Sequence, residues 1–232
     1  MSLDDPEGRS QRARSSILAR IRKAQGRGGR IDDPAALPAS EREALTTYLR
    51  SHVRGPLPPV EGDLVGHFCG RASVMQSTTD RVADWNSVPA AVARYLAERN
   101  LPATGCVWPS IAGHDWASAG LAIEARAAVD ADQVGITGAY AAIAETGTLM
   151  MLSGPETPGS VSLLPETHVA VVDAQRIVSH MEDAWELLRS ERGRPPRAVS
   201  FISGPSRTGD IEQTIVIGAH GPYRVHILVV GR

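Results

Sequence analysis

Three segments interleave hydrogen-bonding side chains with glycine at the ends of apolar runs, the pattern of a chain that offers polar groups to a small ligand. The first runs from Gly135-Ile136-Thr137-Gly138 to Ala144-Glu145-Thr146-Gly147-Thr148. Glu145 follows the apolar stretch Ala141-Ala142-Ile143-Ala144, and the glycine two residues on lets backbone amides turn inward. Facing a ligand, Glu145 is a candidate catalytic carboxylate, as base or as nucleophile. Thr146, Gly147 and Thr148 would bind the ligand through hydroxyls and N–H groups that suit an anion. Alternatively, Glu145 accepts hydrogen bonds from neighbouring amides and simply closes a hairpin; the residues alone leave both open.

The second segment, Ser203-Gly204-Pro205-Ser206-Arg207-Thr208-Gly209-Asp210-Ile211-Glu212, leaves an apolar strand and surrounds one arginine with hydroxyls. Arg207 carries a planar, permanently charged fork that matches a carboxylate or phosphate. Ser206, Thr208 and Asp210 are candidate ligand contacts beside it, although Asp210 or Glu212 would also serve as a salt partner that makes Arg207 structural. In an open α/β sheet such a loop is expected outside the carboxyl end of a strand. The third segment, Leu163-Leu164-Pro165-Glu166-Thr167-His168, places His168 at a strand start, either as a ligand contact or as a hydrogen-bonded core residue. His220, in Gly218-Ala219-His220-Gly221-Pro222, belongs first of all to a turn.

Other chemistries find no support in the residue pattern. There is no HExxH, GxSxG, phosphate-loop or EF-hand motif. Cys69 and Cys106 stand far apart with no CxxC, which argues against an iron–sulfur cluster or zinc ribbon in this chain. None of the seven histidines pairs with another at metal-ligand spacing. Lys23 is the sole lysine and lies in a basic, glycine-flanked stretch, a poor place for a Schiff base or phosphate-binding amine. The expectation is a chain with neither metal nor cofactor of its own.

The elements that must position these segments follow from periodicity. Ser40 and Glu43 read as a capping box for a helix over 40–53, with Ala44, Leu45, Tyr48 and Leu49 on one face. Helices are also expected over 62–76 and 87–99, the latter with Pro89 in its first turn. Another joins Ile177, Met181, Ala184, Trp185 and Leu188. Strands are expected at 78–82, 105–108, 121–125, 141–144, 148–152, 168–172, 198–202, 213–217 and 225–230. Helices alternating with strands apolar on both faces imply a layered α/β fold with a largely parallel sheet.

With 42% hydrophobic and 22% charged residues in 232, the chain has ample material for a core. Residues 9–30 hold eight basic side chains and no acid, whereas 31–232 hold 16 basic and 23 acidic. The basic arm carries Ile17, Leu18 and Ile21 at helical spacing but no aromatic residue to stack on bases, so a docked amphipathic helix is favoured over nucleic-acid binding. No apolar window reaches membrane-spanning length and no signal-peptide pattern opens the chain, so a cytoplasmic protein without a transmembrane segment is expected. The Pro-rich stretch at 55–60 suggests an N-terminal helical region with its basic arm over 1–58 and an α/β domain over 59–232.

Taken together, the run GITGAYAAIAETGTLMMLSGPETPGSVSLLPETHVAVVDAQRIV, the run FISGPSRTGDIEQTIVIGAHGP and the closing HILVV resemble the lactate-utilisation protein C family, the stand-alone LUD-domain proteins. The match is close over about 130–232 and looser through the helices of 12–100; Tyr140-Ala141 departs from the polar-then-aromatic pair of the family. The resemblance implies a three-layer α/β/α sandwich around a mainly parallel sheet, as in the ribose-isomerase, glucosamine-phosphate-deaminase and CoA-transferase group. It implies a part in bacterial oxidation of L-lactate to pyruvate, as an accessory or ligand-binding subunit beside two iron–sulfur partner proteins. A small carboxylate would then lie between the Glu145 turn and the Arg207 loop. The alternative drawn from the fold's transferase relatives is a stand-alone CoA-transferase-like or acyl-transfer enzyme with Glu145 as nucleophile.

Overall fold

The computed structural model describes residues 6–24, 38–60, 62–211 and 214–231. Two compact units result, Met1–Gly55 and Pro56–Arg232. In the first, α1 (Pro6–Ala24) holds the first six basic residues of the arm, the remainder of which lies outside the described residues. Helix α2 (Ala39–Ser51) starts at Ala39 behind an extended Pro38, with no side-chain cap. The expected Ser40–Glu43 capping box is therefore corrected: Ser40 already lies inside the first turn. No residue of α2 is buried, and its apolar stripe stays in solvent, with Leu45 50%, Tyr48 66% and Leu49 68% exposed.

The second unit opens with α3 (Leu64–Val74), N-capped by Asp63, whose carboxylate accepts from the Val65 N–H at 3.0 Å. There follow β1 (Thr78–Val82), α4 (Val88–Glu98), β2 (Thr104–Val107), β3 (Ala122–Ala125) and β4 (Val134–Gly138). Next come β5 (Ala141–Ile143), β6 (Thr148–Leu152), α5 (Ser160–Leu163), β7 (Thr167–Asp173), β8 (Ile177–Val178) and α6 (Met181–Arg192). The chain closes with β9 (Val199–Ile202), β10 (Arg207–Ile211), β11 (Thr214–Ile217) and β12 (Arg224–Val230).

Six of these strands form one all-parallel sheet in the order β1-β12-β7-β4-β2-β3, so the architecture is α/β around a mainly parallel sheet. On one face Val88, Val92, Tyr95 and Leu96 of α4 cover Ile136, Val169, Val171 and Leu228. On the other, α3 supplies Val65, Phe68 and Ala72, together with Leu149 and Met151 of a second, four-stranded sheet β8-β5-β6-β9. That second sheet carries α6 on its outer side through Ala184 and Leu188. Sequence periodicity did not foresee this extra β layer. Fully buried side chains such as Phe68, Leu96 and Ile136 each contribute about 1.5–3 kcal/mol of apolar burial.

The structure corrects two expectations. Gly135-Ile136-Thr137-Gly138 is not part of a turn but β4, a fully buried central strand. Its Gly135 is needed for close packing, since a Cβ there would sit 2.1 Å from the Val161 carbonyl oxygen. Ile177 lies in β8 and not on the helix, because α6 begins only at Met181, where the Asp183 carboxylate caps the His180 N–H at 3.0 Å.

Candidate functional site

The turn between β5 and β6 is held on every side by backbone bonds. The Glu145 N–H donates to the Ser179 carbonyl at 3.0 Å, and the Gly147 N–H closes on the Ile143 carbonyl at 3.0 Å. Arg71, near the end of α3, donates from Nε to the Glu145 carbonyl at 3.1 Å. Gly147 has φ +67°, and a Cβ at that position would lie 2.3 Å from the Ala72 nitrogen. The turn therefore rests directly on the α3 backbone, and only glycine permits that approach. Glu145 itself is half-buried, near the α6 N-terminus.

The Ser203–Thr208 segment reaches the same floor. Gly204, at φ +82°, packs so closely that a Cβ would sit 2.0 Å from the Met75 carbonyl oxygen. Arg207 donates from Nη2 to that same Met75 carbonyl at 2.8 Å. A guanidinium is well placed at the end of a helix, where unpaired carbonyls and the helix dipole favour positive charge. One of its five N–H donors is thereby committed, to a neutral carbonyl and not to a carboxylate. The side chain of Asp210 and all of Glu212 lie outside the described residues.

A chain of hydroxyls joins the two segments. Antiparallel pairing of Leu149 with Ile202 brings Thr148 opposite Ser203, and their hydroxyl oxygens are 2.9 Å apart. The Thr146 hydroxyl donates to that of Thr148 at 2.8 Å. Glu145, Thr146, Gly147 and Thr148 are thus brought together with Ser203, Gly204 and Arg207 around the carboxyl end of α3, whereas Ser206 bonds toward Pro222 and Gly218 and Thr208 pairs with Val216. The location differs from expectation. β9 belongs to the second sheet, and the segment runs from it to the amino end of β12, where the Ser206 N–H donates to the Pro222 carbonyl at 2.9 Å. Arg207 and Thr208 are themselves paired in a β10–β11 hairpin. The carboxyl-end crevice between β2 and β4, where the strand order reverses, is bridged by the chain itself. There Trp108 Nε1 donates to the Pro158 carbonyl at 3.0 Å, and the Ser110 N–H to the Glu156 carbonyl at 3.2 Å.

His168 does not join this group. It lies fully buried in β7, with Nε2 2.7 Å from the Thr137 hydroxyl and Nδ1 without a partner. Burial pushes its pKa down to about 4, so the ring is neutral at pH 7. Residues that sequence reasoning passed over complete the site. Arg71 carried no signal beyond a basic residue in a last helical turn. His180 caps α6 beside Glu145 and bonds the Pro58 carbonyl through Nε2 at 2.8 Å. Its pKa is raised, chiefly by that carbonyl, with Asp183 and Glu145 adding to it. Among the described residues no group of three or more His, Cys, Asp or Glu is arranged to hold a metal ion. No described helix is long and apolar enough to cross a membrane.

Comparison with known proteins places these features in a family. The solved crystal structure of a DUF162 family protein from Deinococcus radiodurans superposes with a TM-score of 0.56 at 25% identity, covering 75% of this chain and all of that one. The lactate utilization protein C of Exiguobacterium sp. is 29% identical over 231 residues, which take in 94% of this chain and 95% of that protein. That of Bacillus subtilis is 37% identical over 100 residues, 42% of either chain. An uncharacterized protein of Neisseria meningitidis serogroup B is 41% identical over 96 residues, again 41% of either chain. The matched stretch thus spans less than half the length of the last two relatives. A model of the LUD domain matches residues 81–230, which contain both polar segments and all but the first three residues of the parallel sheet; this chain belongs to the LUD domain family.

Proposed function

We propose that the chain is a component of a bacterial L-lactate utilisation system that binds a small carboxylate at the carboxyl end of α3. The observation that carries the reading is the Thr148–Ser203 hydroxyl bond, which joins the two polar segments over one floor. In the proposed complex Arg207 turns its remaining N–H donors to the carboxylate, and the Glu145–Thr148 turn receives the ligand's hydroxyl or keto oxygen. Glu145, fixed by its backbone, orients that hydroxyl or accepts its proton. Relatives named lactate utilization protein C support the assignment to lactate.

The chain in this reading works in the cytoplasm without a cofactor of its own and leaves electron transfer to two iron–sulfur proteins. Affinity purification of the tagged chain from lactate-grown host cells, with iron and sulfide analysis of the eluate, tests the assignment. Two iron–sulfur proteins are expected to co-purify in fixed proportion. Recovery of the chain alone, together with a hydroxylamine-trappable acyl adduct on Glu145 after exposure to acyl-CoA, would instead mark a stand-alone acyl-transfer enzyme.

A further inference from the structure

Strands β7 and β12 start side by side, with Arg224 in register with Thr167. Outside these amino ends lies a cavity of about 640 Å³, lined by Leu163, Leu164, Glu166, the Gly218–Gly221 turn, Tyr223 and Arg224. Its walls are fixed by main-chain bonds: Gly218 N–H to the Ser206 carbonyl at 2.8 Å, and Arg224 N–H to the Glu166 carbonyl at 3.0 Å. Gly218, at φ +80°, lets the turn lie against Tyr223, whose Cβ would be 3.1 Å from any side chain introduced there. The hollow is preformed, as binding sites usually are.

The lining of the cavity carries a cation, Arg224, that no described residue neutralises. Arg224 is half-buried; its Nη1 makes a long contact of 3.4 Å to the Thr167 hydroxyl, and its Cζ stands 5.0 Å from the Tyr223 ring centroid. Among the described residues no carboxylate lies within ion-pair distance of it, although Glu166 is on the same rim. A guanidinium held partly out of water without an acid partner gains most from an incoming anion. The exposed Leu163 and Leu164 beside it offer apolar surface that nothing described covers. A three-carbon acid occupies on the order of 100 Å³, roughly the room of three to four waters. The cavity is several times larger and falls in the range of sites for bigger organic ligands.

We propose that this cavity binds an organic carboxylate with an apolar body, its carboxylate paired with Arg224 and its body laid along Leu163 and Leu164. The charge of Glu166 on the rim disfavours ligands with more than one negative charge, which selects a monoanion over a phosphate dianion. The site is separate from that of Arg207, whose guanidinium is turned to Met75, and neither proposal depends on the other.

Calorimetric titration of the full chain with octanoate tests the inference, with octyl phosphate and octylamine as comparison ligands. Octanoate is expected to bind one to one. Arg224→Met and Leu164→Glu should each weaken it at least tenfold with circular dichroism unchanged, while Arg207→Met leaves it unaltered. Leu164 is exposed, so its variant folds even where Arg224→Met proves unstable. Wild-type affinity in both cavity variants, or no octanoate binding at all, would overturn the proposal. Equal binding of octylamine would reduce the cavity to an apolar patch, and tighter binding of octyl phosphate would overturn the choice of carboxylate.

Discussion

Gly147 and Gly204 are what allow two separate stretches of chain to share a floor. Each sits at positive φ with its missing side chain facing α3 backbone at a distance no Cβ tolerates. Gly147→Ala is expected to cost about 2–3 kcal/mol in urea denaturation, because the turn must lift from Ala72 or adopt a strained backbone. Two buried histidines set the acid limit of the fold. His168 and His226 are both pushed down to about 4, largely by burial, from an ordinary 6.5. In that interval the unfolded chain binds more protons than the native one, so stability is full above pH 6.5 and falls as pH drops toward 4. Unfolding followed by calorimetry across this window should take up about two protons, and His168→Leu should remove about one of them. At this scale the segments that meet at the candidate site were legible, since Glu145, Thr148 and Arg207 stand in glycine-punctuated stretches. Arg71 was not, because a basic residue in a last helical turn has an ordinary explanation in the helix dipole.

At the scale of elements, the short helix α3 does most to organise the site. Its period was readable in Val65, Phe68 and Ala72, but its role as a floor was not. The contacts that reveal it join Arg71 to Glu145 and Met75 to Arg207, 74 and 132 residues apart in the chain. Asp63→Ala should lower stability by about 1 kcal/mol through loss of the α3 N-cap, and weaken any ligand held at the far end of the helix. The outer helix α6 is pinned differently. Glu191 accepts a bidentate bond from Arg176 at 2.5 and 3.0 Å and one from the Tyr140 hydroxyl at 2.7 Å. Those bonds hold its pKa down to about 2. The stabilisation is therefore present above about pH 4.5 and lost as pH falls through 2. Glu191→Gln should cost roughly 0.5–1 kcal/mol at pH 7, with the difference from wild type vanishing in strong acid. Strand β4 escaped a reading by pattern because its two glycines imitate a turn, when Gly135 instead admits α5 against the sheet.

At the scale of the molecule, the three apolar clusters among the described residues are all built from Pro56–Arg232. The chain lacking Met1–Gly55 is therefore expected to melt within a few degrees of the full chain, as followed by circular dichroism. Charge divides along the same boundary: Met1–Gly55 holds eleven basic and seven acidic residues, Pro56–Arg232 thirteen and nineteen. Alternating helices and strands made the parallel sheet legible, as its strands are apolar on both faces. The second sheet was hidden, because its short strands pair across long gaps in sequence and β8 has only two residues. The most direct test of the central claim is an amide NMR titration of the full chain with L-lactate. Resonances of Thr146, Gly147, Thr148, Ser206 and Arg207 are expected to shift together along one binding curve, and the shifts to vanish in Arg207→Met. Movement of one segment without the other, or persistence of the shifts in that variant, would contradict a shared carboxylate site.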